Sequence, residues 1–308
     1  MAPLSRTRRR LYLAALAVTF AVLAPILIGY AQGYRLSDLG DALRLIRTGG
    51  IYVAIGESGA TVSIDGEPRE VTTFISRNAF VQDLFAGDYR VEVSKPGHQT
   101  WAKNLEVYPE LVTEWRPVLV PDPVPLAEVA STTRAATSTP PAKNPRFAEV
   151  VALFAPATST KSGVRAATST DPARLGLVET LAEAGRRDLE KETTLKVAGS
   201  FGAWTRAGVL RFVWLGEDDA TPSFLCSPDG CLAEALVSLP NPVTWFDFLP
   251  GRDDVFVVVT QTGAWVVEAD GRGGRNVALL KSGAGIEARV SGAAVVLRQG
   301  GRYWEVEI

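Results

Sequence analysis

Residues 50–66 read GIYVAIGESGATVSIDG, and residues 80–97 read FVQDLFAGDYRVEVSKPG. In the first stretch Ile51, Val53 and Ile55 recur at every second position. Ala60, Val62 and Ile64 do so again after Gly56-Glu57-Ser58-Gly59. A period of two belongs to strands, because successive side chains leave a strand on opposite faces. Asp65-Gly66 then suits the positive φ angles of a tight hairpin turn. In the second stretch Phe80, Leu84 and Phe85 lead into Ala86-Gly87-Asp88. Tyr89, Val91 and Val93 alternate with Arg90, Glu92 and Ser94 until Lys95-Pro96-Gly97-His98 turns the chain. Two further strands are predicted over 100–108 and 111–120, the second with Leu111, Thr113, Trp115 and Leu119 on one face. Six or seven short strands with one apolar face predict two small antiparallel sheets over 50–121, packed as an immunoglobulin-like β-sandwich.

The order Gly-Ala-x-Val-x-Ile-Asp-Gly (59–66), Gly-x-Tyr-x-Val-x-Val-x-Lys-Pro-Gly (87–97), Trp101 and then Val112-Thr113 resembles the PEGA domain. The name tetrapeptide Pro-Glu-Gly-Ala is degraded here to Glu57-Ser58-Gly59-Ala60, and His98 replaces the usual aromatic after Lys-Pro-Gly. The resemblance covers a little under a quarter of the chain. It implies a bacterial or archaeal surface or envelope module to which no catalytic residues are assigned.

Residues 1–10 carry Arg6, Arg8, Arg9 and Arg10 and no acid, and residues 11–31 hold no charge at all. A run of that length crosses a hydrocarbon core of about 30 Å, which needs roughly 20 apolar residues. A cleaved signal peptide has a shorter apolar region, about 7 to 15 residues, so 11–31 reads as a transmembrane helix, the alternative being a signal cleaved at the small residues of Gly29-Tyr30-Ala31. Pro25 within it is tolerated. The positive-inside bias predicts a basic cytoplasmic end and a single-pass cell-membrane protein with the bulk of the chain extracytoplasmic. Leu36, Leu39, Leu43 and Ile46, with Asp38, Asp41, Arg44 and Arg47 between them, predict an amphipathic helix over 36–47 that lies in the membrane interface or packs on the sandwich.

The formal charge is −2, but residues 1–35 contain five arginines and no acid, leaving 27 bases and 34 acids beyond them, a balance of −7. A mildly acidic surface argues against a nucleic-acid partner, which requires clustered Lys and Arg. Residues 122–171 read as a low-complexity linker. Ala-Thr-Ser-Thr occurs at 136–139, 157–160 and 167–170, and small polar residues bury too little area to offset chain entropy. Within it, 147–154 reads as one strand or helix. Residues 173–193, rich in Leu, Ala, Glu and Arg, read as a helix broken near Gly185.

The distal region, 172–308, is β-rich. Nine strands are predicted, over 209–215, 224–226, 232–239, 245–249, 255–260, 264–269, 277–280, 293–298 and 303–308, with turn residues in nearly every gap. The run Phe246-Asp247-Phe248-Leu249-Pro250, Asp253-Asp254 before an apolar strand, and Trp265-Val266-Val267-Glu268 after a turn is similar to one blade of a β-propeller. Nine or ten strands make about two and a half blades. The expectation is therefore an all-β propeller-like or sandwich domain.

Chemistry-bearing residues are sparse. His98 is the one histidine, which cannot by itself build a zinc site or a Ser-His-Asp triad. Asp218-Asp219 and Asp253-Asp254 are adjacent pairs, whereas a glycosidase needs two carboxyls facing across a cleft at roughly 5 to 9.5 Å. Gly271-Arg272-Gly273-Gly274-Arg275 lacks the Lys-Ser/Thr and following helix of a phosphate loop and reads as a hairpin with its arginines outside. Cys226 and Cys231 flank Ser-Pro-Asp-Gly. An exported location and a Pro-Asp-Gly turn predict a disulfide across roughly 4.4 to 6.8 Å between α-carbons. All seven tryptophans lie beyond the span and read as core, an exposed cluster being a surface for sugar or protein. No catalytic residue, metal site or cofactor is predicted. The function expected is that of a non-catalytic, membrane-anchored envelope protein presenting β-domains to a protein or cell-wall glycan. The alternatives are an envelope hydrolase using the distal acids, and a sensor or assembly factor acting through the short basic end.

Overall fold

Alternation, apolar runs and turn chemistry mark most of the elements in a computed structural model that describes residues 6–38, 43–133, 142–155, 194–217, 220–227, 230–232 and 234–308. The helix expected over 173–193, the Asp218-Asp219 pair and all three Ala-Thr-Ser-Thr repeats lie outside these residues. The chain divides into two compact units, Met1–Pro96 with Thr100–Val118, and Gly97–Gln99 with Leu119–Ile308.

In the first unit, α1 (Arg6–Ala31) runs 26 residues with Pro25 inside and no buried residue. At 1.5 Å per residue it is long and apolar enough to span a membrane. Where a helix was expected over 36–47, the chain instead forms an antiparallel hairpin of β1 (Tyr34–Asp38) and β2 (Leu43–Arg47), with Tyr34 opposite Arg47. The apolar positions fit helical spacing, but Gly40 stands mid-segment, where it costs a helix about 1 kcal/mol relative to alanine. The hairpin gains a five-pair ladder. It also gains an Arg47 Nε–H donating to the Tyr34 hydroxyl at 2.6 Å.

The remaining strands of this unit are β3 (Gly49–Val53), β4 (Thr61–Ile64), β5 (Glu67–Val71), β6 (Ala79–Leu84), β7 (Gly87–Ser94), β8 (Trp101–Val107) and β9 (Val112–Trp115). They make a three-stranded sheet, β6-β3-β9, and a four-stranded sheet, β5-β4-β7-β8. Alternation places Ile51, Val53, Val62, Ile64, Val91 and Val93 in the core. Each such side chain contributes roughly 1.5–3 kcal/mol of burial. The sheets meet through Trp101 of β8 and Trp115 of β9, ring centroids 6.0 Å apart. Lys103 shares the inward face of β8 and sets its Nζ 4.1 Å from the Trp115 ring. Asp65 and Gly66 adopt φ 51° and 85°, as the hairpin turn requires. One sheet departs from the antiparallel expectation, because β3 and β9 pair in parallel. Between them the chain crosses to the other sheet and back, the long connection that a parallel pair needs.

The second unit holds β10 (Ala127–Glu128), β11 (Thr132–Thr133), β12 (Ala142–Lys143) and α2 (Pro145–Leu153). A first four-stranded sheet comprises β13 (Lys196–Ala198), β14 (Phe201–Arg206), β15 (Val209–Trp214) and, after β16 (Cys226–Ser227) and β17 (Gly230–Cys231), β18 (Ala235–Val237). A second comprises β19 (Val243–Phe248), β20 (Val255–Thr260), β21 (Gly263–Glu268) and β22 (Val277–Ser282). A third comprises β23 (Glu287–Ser291), β24 (Ala294–Gln299) and β25 (Arg302–Val306), completed by β10 on the edge of β25. Every residue of β20 is buried, the continuous apolar run of a strand covered on both faces. Phe201, Phe212, Phe248 and Phe256 fill the core between the first two sheets.

Residues 127–133 and 142–155, placed in the expected linker, instead form short strands and a helix. Val129, Val150 and Phe154 are buried against Val296 and Tyr303 of the third sheet, and these side chains supply the apolar area that the surrounding repeats lack. Asn144 caps α2 by accepting from Arg146 N–H at 3.0 Å, with Pro145 at the first helical position. Arg302 pairs with Glu128 across β10 and β25 and holds that carboxyl below its ordinary range.

Cys226 and Cys231 stand directly opposite on β16 and β17 with their sulfurs 2.03 Å apart. Their α-carbons come to 3.8 Å, closer than the predicted span. Thiol labelling of unfolded, unreduced protein is expected to be negative and to become positive on reduction. Because the loop closed is short, reduction should cost well under the roughly 3 kcal/mol of a 15-residue loop. Labelling before reduction would remove the bridge.

Candidate functional site

The second sheet ends one hairpin with Gln261-Thr262 between β20 and β21, Thr260 facing Gly263 across the ladder. The register then slips between Ala264 and Trp265 where β21 meets β22. A bulge of this kind redirects side chains, and here Trp265 lines a cleft. The opposite wall is Leu239-Pro240-Asn241, the segment leaving the first sheet after β18. Val277, Leu279 and Ser282 of β22 complete a cavity of about 340 Å³.

Its polar groups form one connected set around the buried Thr260 hydroxyl. That oxygen accepts from Trp265 Nε1–H at 3.2 Å and from Thr262 N–H at 3.3 Å, and lies 3.1 Å from Thr262 Oγ1. Asn241 Nδ2 donates to Thr262 Oγ1 at 3.3 Å. The Asn241 amide has a second N–H and a carbonyl oxygen beyond this bond. The site thus offers an indole flank, apolar walls and neutral hydrogen-bonding groups. None of its lining residues is an acid, a base or a thiol.

The residues singled out from sequence fall elsewhere, Trp265 excepted. Asp254 sits in the β19–β20 turn, held by Arg252 through Nε at 2.7 Å and Nη2 at 2.9 Å. Asp253 lies over the backbone of Gly199, where an added Cβ would meet its Oδ2 at 2.5 Å. Neither lines the cleft. His98 is half-buried and its backbone bridges to Pro121.

In the 271–275 hairpin, the expectation of outward arginines fails at Arg275. Its guanidinium donates to the carbonyls of Glu268 and Ala269 at 2.6 Å and of Leu236 at 3.0 Å. Burial lowers its pKa, opposed by Asp270 and Glu268. Three backbone carbonyls, two at the end of β21 and one in β18, match the fork of a five-donor group and draw it in.

Trp101, Trp115 and Trp204 are buried, in keeping with core, and Trp214, Trp245, Trp265 and Trp304 are half-buried. Lys196 stands over the Trp245 ring at 4.8 Å and Lys281 over Trp304 at 4.1 Å. Asn241, Thr260 and Thr262 were not singled out by sequence. The signal present was the Thr-x-Thr-Gly hairpin, legible as a turn but not as a site.

No protein-family model matches the chain, and no curated protein does. A solved structure that it resembles is a protein of unknown function from Bacteroides fragilis NCTC 9343, provisionally called membrane-associated. The match has 14% identity and a TM-score of 0.20, and covers 84% of this chain and 94% of that one. At that TM-score the likeness carries no argument about fold.

Proposed function

We propose that this is a non-catalytic protein of the cell envelope, anchored by α1 with its basic end in the cytoplasm, whose β-domains bind a partner outside. The three-plus-four-stranded sandwich supports the PEGA-like, immunoglobulin-like reading of residues 50–121. Three four-stranded antiparallel sheets, the last completed by β10, support a propeller-type arrangement of the second unit. The observation that carries the binding reading is the 340 Å³ cleft beside Trp265. It is concave, mostly apolar and equipped with a few convergent neutral groups, as small-ligand sites are. An indole face with hydroxyl and carboxamide partners suits an uncharged glycan. General acid–base chemistry needs a side chain that can exchange a proton with the reacting group, and the lining has none. The hydrolase alternative rests on Asp253 and Asp254, one of which is already engaged by Arg252.

The test is calorimetric titration of the full chain in detergent with neutral cell-wall oligosaccharides, alongside a hydrolysis assay. Trp265→Ala is expected to weaken binding about tenfold or more, the 1.4 kcal/mol or larger loss typical of a buried aromatic anchor. Asp253→Asn and Asp254→Asn should leave binding unchanged. Turnover abolished by either aspartate substitution would overturn the assignment.

A further inference from the structure

The end of the sandwich nearest α1 can be located from register alone. Gly49 of β3 faces Leu84 at the end of β6, and Gly87 at the start of β7 faces Val107 at the end of β8. Thr48 bonds back to the Gly33 carbonyl through its N–H at 2.9 Å and its hydroxyl at 2.8 Å, while Glu110 N–H donates to Thr48. The β1–β2 hairpin, the β6–β7 turn and the β8–β9 turn therefore gather where the chain leaves the helix. They expose large apolar side chains there: Leu45 (62%), Phe85 (44%) and Leu111 (59%).

Two clefts open on this end. One, of about 500 Å³, has Pro25, Ile26, Gly29 and Tyr30 of α1 as one wall and Tyr34, Arg35 and Leu45 among its others. Pro25 lies six residues before the helix end, about 9 Å inside it, so in a spanning helix this cleft begins within the bilayer. The second, of about 480 Å³, adds Phe85 and Pro109.

Among the described side chains at this level, the two cations are already matched. Arg35 pairs with Asp83 and lies 3.7 Å from the Tyr30 ring centroid. Arg47 pairs with Glu110 and lies 4.8 Å from the Tyr34 ring. Tyrosines carrying an apolar ring and a polar tip are favoured at headgroup depth.

We propose that this end of the sandwich is seated in the interfacial layer of the bilayer that α1 spans, with phospholipid filling the cleft between helix and hairpin. The contact is apolar, with Arg35 and Arg47 already paired to acids, and requires no anionic lipid. It rests on the reading of α1 as a span.

The test uses the full chain in phosphatidylcholine vesicles with one added cysteine carrying an environment-sensitive fluorophore, the native pair being disulfide-bonded. Labels at Leu45→Cys and Phe85→Cys are expected to be quenched by a shallow nitroxide lipid and shielded from aqueous iodide. A label at Ile75→Cys, on the exposed loop after β5, should show the reverse. Adding phosphatidylglycerol should change nothing. If the 45 and 85 labels behave like the 75 label while a Leu16→Cys label is quenched by a deep nitroxide, the anchor stands and the seating is overturned. If the Leu16→Cys label is itself exposed to iodide, the span and the seating fall together. Quenching seen only with anionic lipid would overturn the neutral contact.

Discussion

Replacing Phe256 with alanine is expected to cost the second unit about 3–5 kcal/mol, the usual loss for deleting a core phenyl ring. Phe256 is fully buried in β20. Its ring centroid lies 5.9 Å from Phe212 of the first sheet, 6.4 Å from Phe246 and 5.1 Å from Phe248 of β19. It therefore fastens two sheets that share no ladder pairing and meet mainly through apolar side chains, beside one backbone bond from Val243 N–H to the Gly208 carbonyl at 2.8 Å. Amide exchange on the full chain in detergent reads this directly. Peptides from β14, β15 and β20 should lose roughly two to four powers of ten in protection. Phe80→Ala is the control, since that ring is exposed and meets Tyr52 edge-on outside the core. Unchanged protection in Phe256→Ala would mean that the aromatic cluster does not hold the sheets together.

What could be read from sequence divides along physical lines. The strands β4, β7 and β20 were legible because their apolar pattern is local: two alternate and one is a continuous run. β5 was not, since Glu67-Pro68-Arg69-Glu70-Val71 has no apolar face. It is a strand because β4 supplies its ladder, and its proline is admissible on an edge. β10 is two residues long and pairs with a strand about 175 positions later, so nothing near Ala127 could announce it. The hairpin misread as a helix had a pattern compatible with both periods, and only the pairing of Tyr34 with Arg47 decides it. The cleft was half legible. Trp265 stood out by type, but Asn241 reaches Thr262 from a different sheet's exit, and such convergence is tertiary.

Gly49→Ala is expected to be the most disruptive single methyl addition in the first unit. A Cβ there would run into the Tyr108 carbonyl oxygen, and would lie 2.8 Å from Val107 Cγ1 and 2.9 Å from the Leu111 carbonyl oxygen. Two of these three obstacles are backbone, which cannot rotate away as a side-chain tip can. Overpacking ordinarily costs 1–3 kcal/mol, and a collision with the β8–β9 turn should reach or exceed the top of that range. Relief requires β3 to move from β9, breaking the parallel pairs from Gly50–Val112 to Val53–Trp115. It also strains the Thr48–Gly33 clasp that joins helix exit to sandwich. The comparison is Gly59→Ala, where the added Cβ meets nothing within 4 Å and only the left-handed φ of 79° is penalised, about 1–2 kcal/mol. Amide exchange should show peptides covering β1 to β3 and β9 losing protection in Gly49→Ala far beyond the loss in Gly59→Ala, with the second unit unaffected. Equal effects of the two substitutions would mean that β3 does not pass the 108–111 turn as closely as described, and that the helix exit is not clamped to the sandwich at this point.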